Sequence, residues 1–307
     1  MQAEIGLRPN LVRRWANGVP AHPWLTVAPV LALVALFTIF PFIYAAVTST
    51  RQMILTLPDQ TPFVGLKNYL DVLQDASARQ AAVNAVVFSV VAVTAVTLLG
   101  LLVALLLNQP IRGFGILRAL VLLPWAIPLV SAGIIWRLLL HGDFGAFNGL
   151  LLQLGIVHSY IPWLSSRQLA LGAVIVAHVW REFPLPAILF LAGLQVIPPD
   201  VVDAATVDGA GAWQRFRYVI LPLLKAPLLI VLVYETMIAV TVFDLVYVLT
   251  GGGPGSATTL FSWYAYAATF HFLNLGQGAA LSFIMAAVLL LFIAIYLRLL
   301  RVGRDDT

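Results

Sequence analysis

The sequence predicts an all-α membrane protein with six transmembrane helices and both termini in the cytoplasm. Three observations carry this. Hydrophobic residues make up 61% of the 307 and charged residues 10%, against about a quarter charged in soluble domains. Acidic and basic residues are absent from Trp15 to Thr50, from Gln80 to Ile111 and from Leu245 to Leu297. A hydrocarbon core about 30 Å thick takes about 20 apolar residues as a helix, and each run exceeds that.

Residues 1–23 form a polar tail with Arg8, Arg13 and Arg14. The first span, about 24–47, is too long for a signal-peptide core, and Pro29 and Pro41 bend it. Further spans fall near 82–107, 116–140, 169–194, 226–249 and 278–300, and a second tail covers 301–307. Pro184 and Pro186 kink the fourth span. With an internal N-terminus the inner segments carry Arg8, Arg13, Arg14, Arg112, Arg118, Arg215, Arg217, Lys225, Arg298, Arg301 and Arg304. The outer loops carry only Arg51, Lys67, Arg79 and Arg167. This asymmetry sets the orientation. The net charge of +4 therefore reflects inner arginines and not nucleic-acid binding.

One charged stretch lies between two apolar ones. Residues 198–222 carry Asp200, Asp203, Asp208, Arg215 and Arg217. Pro198 and Pro199 stop the preceding helix, Asp200 is placed to cap a new one, and Asp203 follows at capping-box spacing. Gly209 supplies a left-handed turn. A second helix runs from about Ala212 to Tyr218, before Pro222 and Pro227. The expectation is a helix–turn–helix knob on the cytoplasmic surface.

The residues of this knob resemble the "EAA" loop of ABC-importer permeases. Asp203-Ala204-Ala205 stands for Glu-Ala-Ala, Gly209 for the glycine, and Val219, Leu221 and Pro222 for the closing Ile-x-Leu-Pro. Asp for Glu and Val for Ile are the two departures. The resemblance implies a type I importer permease fold. It also implies a loop that inserts into a cleft of the ATP-hydrolysing subunit, through Asp203, Ala204, Ala205, Asp208, Gly209, Ala210, Phe216, Leu221 and Pro222. Two further segments are similar to the carbohydrate branch of that family. Phe63-Val64-Gly65-Leu66-Lys67-Asn68-Tyr69 matches a motif after the first helix, with Asn84 following. Phe243-Asp244-Leu245-Val246-Tyr247 leads into Leu249-Thr250-Gly251-Gly252-Gly253-Pro254, and Tyr264, Tyr266 and Phe270 continue the likeness. The resemblance implies that Gly251, Gly252, Gly253 and Pro254 come near a docked extracytoplasmic binding protein. It also implies a second, non-identical permease subunit, two ATP-binding subunits holding ATP and magnesium, and no catalytic residue or cofactor in this chain. The location is the cell membrane of a bacterium or archaeon. The glycine run is not a phosphate loop, because no Gly-Lys-Ser/Thr follows and no strand precedes it.

Arg181, Glu182, Glu235 and Asp244 are charges inside spans, which normally face protein or water. Arg181 and Glu182 are adjacent, so they point about 100° apart on a helix and make a poor pair. Arg181 is instead the expected partner of the deeper Glu235. Glu235 and Asp244 fall on opposite faces unless the helix breaks between them. Arg181, Glu235, Asp244 and Tyr247 are the candidates for the substrate path. Aromatic residues such as Trp125, Trp136, Trp180 and Tyr234 stack on a sugar or serve as core and belt residues. The scattered His141, Asp143 and His158 do not make a metal site; His141 and Asp143 read as capping or surface groups. Two other functions fit the composition. One is an ion-coupled secondary transporter using Glu235 and Asp244, which lacks support from any inverted repeat. The other is an intramembrane enzyme using His178.

Overall fold

The computed structural model describes residues 23–57, 59–109 and 114–300. The two expected tails, with Arg8, Arg13, Arg14, Arg301 and Arg304, lie outside the described residues, as does Arg112. The chain divides into two compact units at Thr48/Ser49.

In the first unit, helix α1 (Pro23–Val34) continues through one wide turn, Ala35–Ile39, into α2 (Phe40–Ser49). The wide turn lies between Pro29 and Pro41, and the run continues two residues beyond the expected end. A π-turn in place of a sharp kink lets neighbouring carbonyls find other donors around a proline.

The second unit is organised on α4 (Ala76–Leu107), which follows the short helix α3 (Lys67–Gln74). At about 1.5 Å per residue, α4 is on the order of 48 Å long, more than the hydrocarbon thickness. It starts six residues before the expected span. The reason is a cap: the Asp75 carboxylate accepts from the Ser77 amide at 2.8 Å, and the polar stretch Ala76–Gln80 joins the helix. Asp75 also accepts from the Tyr264 hydroxyl. Burial, and then that bond, raise the Tyr264 phenol above its usual range. Asn68 of α3, part of the expected Phe-x-Gly-Leu-x-Asn-Tyr motif, donates to the carbonyls of Ser49 and Arg51, both at 2.8 Å.

The buried face of α4 is rich in small residues, including Ala78, Ala81, Ala92, Gly100 and Ala104. In lipid, helices gain little from excluding water, so close van der Waals approach holds them. The expected third span is delivered in three pieces: α5 (Phe114–Val121), α6 (Leu123–Ala126) and α7 (Leu129–Leu139). Pro124 and Pro128 divide it. An unforeseen helix, α8 (Ala146–Gln153), follows. The Asn148 side chain there accepts from the Trp163 indole at 2.9 Å and donates to the Ile161 carbonyl at 2.9 Å.

The fourth expected span is α9 (Ala170–Glu182) and α10 (Pro184–Val196), bent by 43° where Pro184 and Pro186 were expected to kink it. The knob region contains α11 (Pro199–Val207), α12 (Ala212–Arg215), a wide turn Phe216–Ile220, and α13 (Leu221–Leu223). Then α14 (Lys225–Thr241), α15 (Asp244–Leu249), α16 (Phe261–Tyr266), a wide turn Ala267–His271 and α17 (Leu275–Leu300) complete the unit. Three helical runs, Val27–Ser49, Ala76–Leu107 and Leu275–Leu300, are individually long and apolar enough to cross a membrane. The bent pairs around α9–α10 and the knob–α14 junction add two more crossings if each counts as one.

Candidate functional site

The knob is built from a proline start and a glycine stop. Pro199 takes the first helical position of α11 and Pro198 caps it, without any side-chain cap hydrogen bond. This corrects the expected cap at Asp200 and capping box at Asp203. Proline is pre-organised for the first position, so the helix begins earlier and Asp200 falls inside the first turn. There it still complements the positive helix end. At the other end Gly209 has φ +83. Its amide donates to Thr206 O at 3.0 Å, and the Ala210 amide donates to Ala205 O at 2.9 Å. These are the two bonds of a Schellman turn.

The second helix opens at Gly211, whose amide donates to Gln214 Oε1 at 2.7 Å. Arg215 Nη1 donates to Thr206 Oγ1 at 3.1 Å and to Ala210 O at 3.2 Å, tying the two helices together. The run extends to Leu223 and does not stop at Tyr218. The Leu221 amide reaches back to Phe216 O, and this wider turn accommodates Pro222. A 68° bend at Leu224 then leads into α14.

Asp203, Ala204, Asp208 and Gly209 are exposed; Ala205, Ala210, Phe216, Leu221 and Pro222 are partly covered. Three apolar or aromatic side chains also stand outside: Val207 at 88%, Trp213 at 70% and Tyr218 at 73% exposure. The root is the opposite. Leu224 packs with Leu107, Phe190, Leu194 and Val231 in one buried cluster. A Cβ added at Gly193 would come 2.6 Å from Pro227 Cγ and 3.0 Å from Leu224 Cδ2. So α10 and α14 are clasped just behind an exposed knob.

The charged residues of the spans meet differently from expectation. Arg181 Nη1 lies 2.5 Å from Glu182 Oε1, although the two are adjacent. The long arginine stem curls back at the end of α9, which helix geometry at the Cβ level does not capture. Arg181 Nε also donates to Ile127 O at 3.4 Å, where Pro128 interrupts the helix. Glu235 does not pair with Arg181. It is fully buried, and neither carboxylate oxygen has a hydrogen-bond partner among the described residues. Glu235 therefore presents no surface to an open path in this structure. His178 is buried too, with its ring 5.1 Å from Phe88 in an edge contact.

The helix does break between Glu235 and Asp244, so the opposite-face argument lapses. The chain leaves α14 at Val242, whose freed carbonyl accepts from Ser262 Oγ at 2.5 Å. Asp244 and Tyr247 emerge exposed at the start of α15. Beside them Phe243, Tyr247 and Tyr266 form a ring cluster with centroids 4.5–5.8 Å apart, and Phe270 lies 5.0 Å from Tyr266. Phe243 was the residue missed here, although it heads the Phe-Asp pair that drew attention to Asp244.

The glycine loop is held from three sides. Gly251, Gly252 and Gly255 have positive φ. Thr259 Oγ1 donates to Gly252 O and Thr258 Oγ1 to Gly253 O. Asn84 donates to Ser256 O at 2.9 Å and Thr259 O at 3.1 Å, and Arg167 to Gly255 O at 2.8 Å. Gly251 is exposed, Gly253 and Pro254 are partly so, and Gly252 is buried beneath Thr259 and Trp263.

Comparison with known proteins bears on this arrangement. The family model for the binding-protein-dependent transport system inner membrane component matches residues 78–302. The chain is 41% identical over 285 residues to the trehalose/maltose transport system permease protein MalF of Thermococcus litoralis, covering 92% of this chain and 94% of that one. It is 36% identical over 277 residues to the sulfoquinovosyl glycerol transport system permease protein SmoG of Agrobacterium fabrum, covering 90% and 89%. A crystal structure of a bacterial ABC transporter involved in importing the acidic polysaccharide alginate has a chain that superimposes with a TM-score of 0.78 at 20% identity. The match covers 96% of this chain and 98% of that one. At that identity the likeness concerns the fold.

Proposed function

Because this chain belongs to the family of binding-protein-dependent transport system inner membrane components, we propose that it is one permease subunit of an ATP-driven importer for a carbohydrate or related polyol. The observation that carries the proposal is the knob: an Asp203-Ala204-Ala205 helix closed by a Schellman turn at Gly209, exposed at its tip and clasped at its root. The names of the trehalose/maltose and sulfoquinovosyl glycerol relatives support a sugar-type substrate.

In this reading the chain crosses the membrane of a bacterium or archaeon six times with both termini inside. It pairs with a second, non-identical permease, rests among membrane lipid, and receives substrate from an extracytoplasmic binding protein near Gly251–Pro254. Two separate subunits bind ATP and magnesium and hydrolyse the nucleotide. The knob, through Asp203, Asp208, Gly209 and their neighbours, seats in a cleft of one of them. When the nucleotide subunits close or open, the knob moves as a unit because Arg215 and the Schellman bonds lock it. The Gly193–Pro227 clasp passes that motion to α10 and α14. Bends at Phe183 and Leu224 and the break at Val242 let these helices re-angle between two states. Asp244, Tyr247 and the rings beside them line the path, with Arg181 in its wall. Family membership is what sets this above an ion-coupled transporter.

Cysteines at Ala205 and Ala210 test it. In the assembled transporter they crosslink to the ATPase subunit in a nucleotide-dependent manner. If they catch no ATPase, or react with impermeant reagents from outside the cell, the proposal fails.

A further inference from the structure

A polar crevice of about 310 Å³ opens where the start of α4, the residues before α9 and the glycine loop meet. Gln80 and Asn84, Arg167 and Gln168, and Gly255 and Ser256 line it. Arg167 lies directly on the loop. Its Nη2 donates to Gly255 O at 2.8 Å, and a Cβ at Gly255 would come 2.7 Å from the same nitrogen. Asn84 holds the next residue, donating to Ser256 O at 2.9 Å. The Asn84 side-chain oxygen in turn accepts from Gln80 Nε2 at 3.0 Å.

Between these two holds the backbone is left-handed at consecutive residues, Gly255 at φ +52 and Ser256 at φ +64. Serine adopts that conformation only at a cost, so it persists where surrounding bonds over-determine it. The two holds are unequal. Asn84 is buried, and its amide donates to two loop carbonyls. Arg167 is exposed, and the loop contact uses one of its five N–H groups. It forms no ion pair among the described residues, whereas Lys67 is paired with Asp71 at 2.8 Å. A free guanidinium on a neutral carbonyl is a weak latch beside an open cavity. A carboxylate makes a hydrogen bond to it roughly twice as strong. The Gly255 carbonyl keeps the Ser256 hydroxyl as a donor at 2.6 Å, so losing Arg167 does not strand it.

We propose that this crevice receives a carboxylate side chain of the docked binding protein, which takes Arg167 from Gly255 and frees the strained Gly255–Ser256 turn. This rests on the importer reading above and adds to it the chemistry of the contact. The crevice is polar and holds a cation with no acid of its own, so an acidic group complements it. The turn belongs to the loop that follows α15 directly. Its release therefore reaches the helix that carries Asp244 and Tyr247 as the partner seats. Asn84 stays in place and keeps the rest of the loop folded.

The test uses the complete transporter in lipid vesicles and the purified binding protein of the same transport system. Two quantities are read: the affinity of that protein for the vesicles, and ATP hydrolysis with and without it. In wild type the affinity falls as salt rises. Arg167→Ala lowers the affinity about tenfold and flattens its salt dependence, because a charge-assisted bond is lost. It also raises hydrolysis without binding protein severalfold, because the latch is already open. Arg167→Lys keeps the charge and holds the affinity within about threefold of wild type. Unchanged affinity in Arg167→Ala overturns the docking site. Lowered affinity with no rise in unaided hydrolysis overturns the exchange of partners, and so does a fall in both, which is what a purely structural arginine would give. If the binding protein stimulates no hydrolysis in wild type, the importer reading itself falls.

Discussion

Gly209→Ala tests the mechanical role proposed for the knob. The residue sits at φ +83, a conformation that costs an L side chain about 1–2 kcal/mol. A Cβ at this position would meet nothing within 4 Å, so no clash adds to that cost. The turn also carries the Ala210-to-Ala205 and Gly209-to-Thr206 bonds, which hold only while the left-handed geometry persists. A penalty of that size reduces the population of the correct knob by a factor of about 5–30. The exposed site leaves the buried clusters untouched, so the thermal midpoint of the purified complex stays within a few degrees of wild type. Binding-protein-stimulated ATP hydrolysis and transport fall together, by a similar factor. Gly209→Asn is the control, because asparagine tolerates this backbone region, and it retains most activity. If alanine behaves like wild type, or asparagine is as damaging as alanine, the backbone explanation is wrong. The second result would point to a partner surface pressed against the glycine itself.

The other predictions concern the root, the knob lock and the glycine loop. Gly193→Val forces a methyl group into Pro227, at 2.6 Å in the present geometry. It destabilises by about 1–3 kcal/mol, seen as a lower melting midpoint, and Pro227→Ala partly restores it. Arg215→Ala removes two bonds between the knob helices, each worth about 1 kcal/mol or less at an exposed site. Coupled ATP hydrolysis drops severalfold while membrane levels hold, and Arg215→Lys restores part of it, because a single nitrogen, Nη1, makes both bonds and the lysine ammonium carries three N–H donors. Asn84→Ala strands the Ser256 and Thr259 carbonyls at about 1–3 kcal/mol. The glycine loop then becomes sensitive to protease, and stimulation by the binding protein weakens.

Features set by local chain chemistry were readable from residues alone. Long apolar runs force helices because lipid leaves backbone groups no other partner. Pro184 and Pro186 located the bend of the fourth span, and Gly209 the end of the knob helix, since each restricts φ or frees it whatever surrounds it. The knob's outline was therefore legible, down to the residues that match the importer motif. Its start was misjudged by two positions, with Pro198 and not Asp200 at the cap, because a proline at the first turn outcompetes an acid as the organiser of that end.

What tertiary structure decided were the features that depend on residues far apart in the chain. The break at Val242 carries no proline signal; it stands because Ser262, twenty residues on, takes the freed carbonyl. Asn84 pins a loop more than 170 residues away. Arg181 turned to its neighbour Glu182 and left Glu235 alone, a choice set by where three bent helices place their ends. Periodicity along one helix reports which way a side chain starts out, but a long flexible cation ends where packing and buried charge send it.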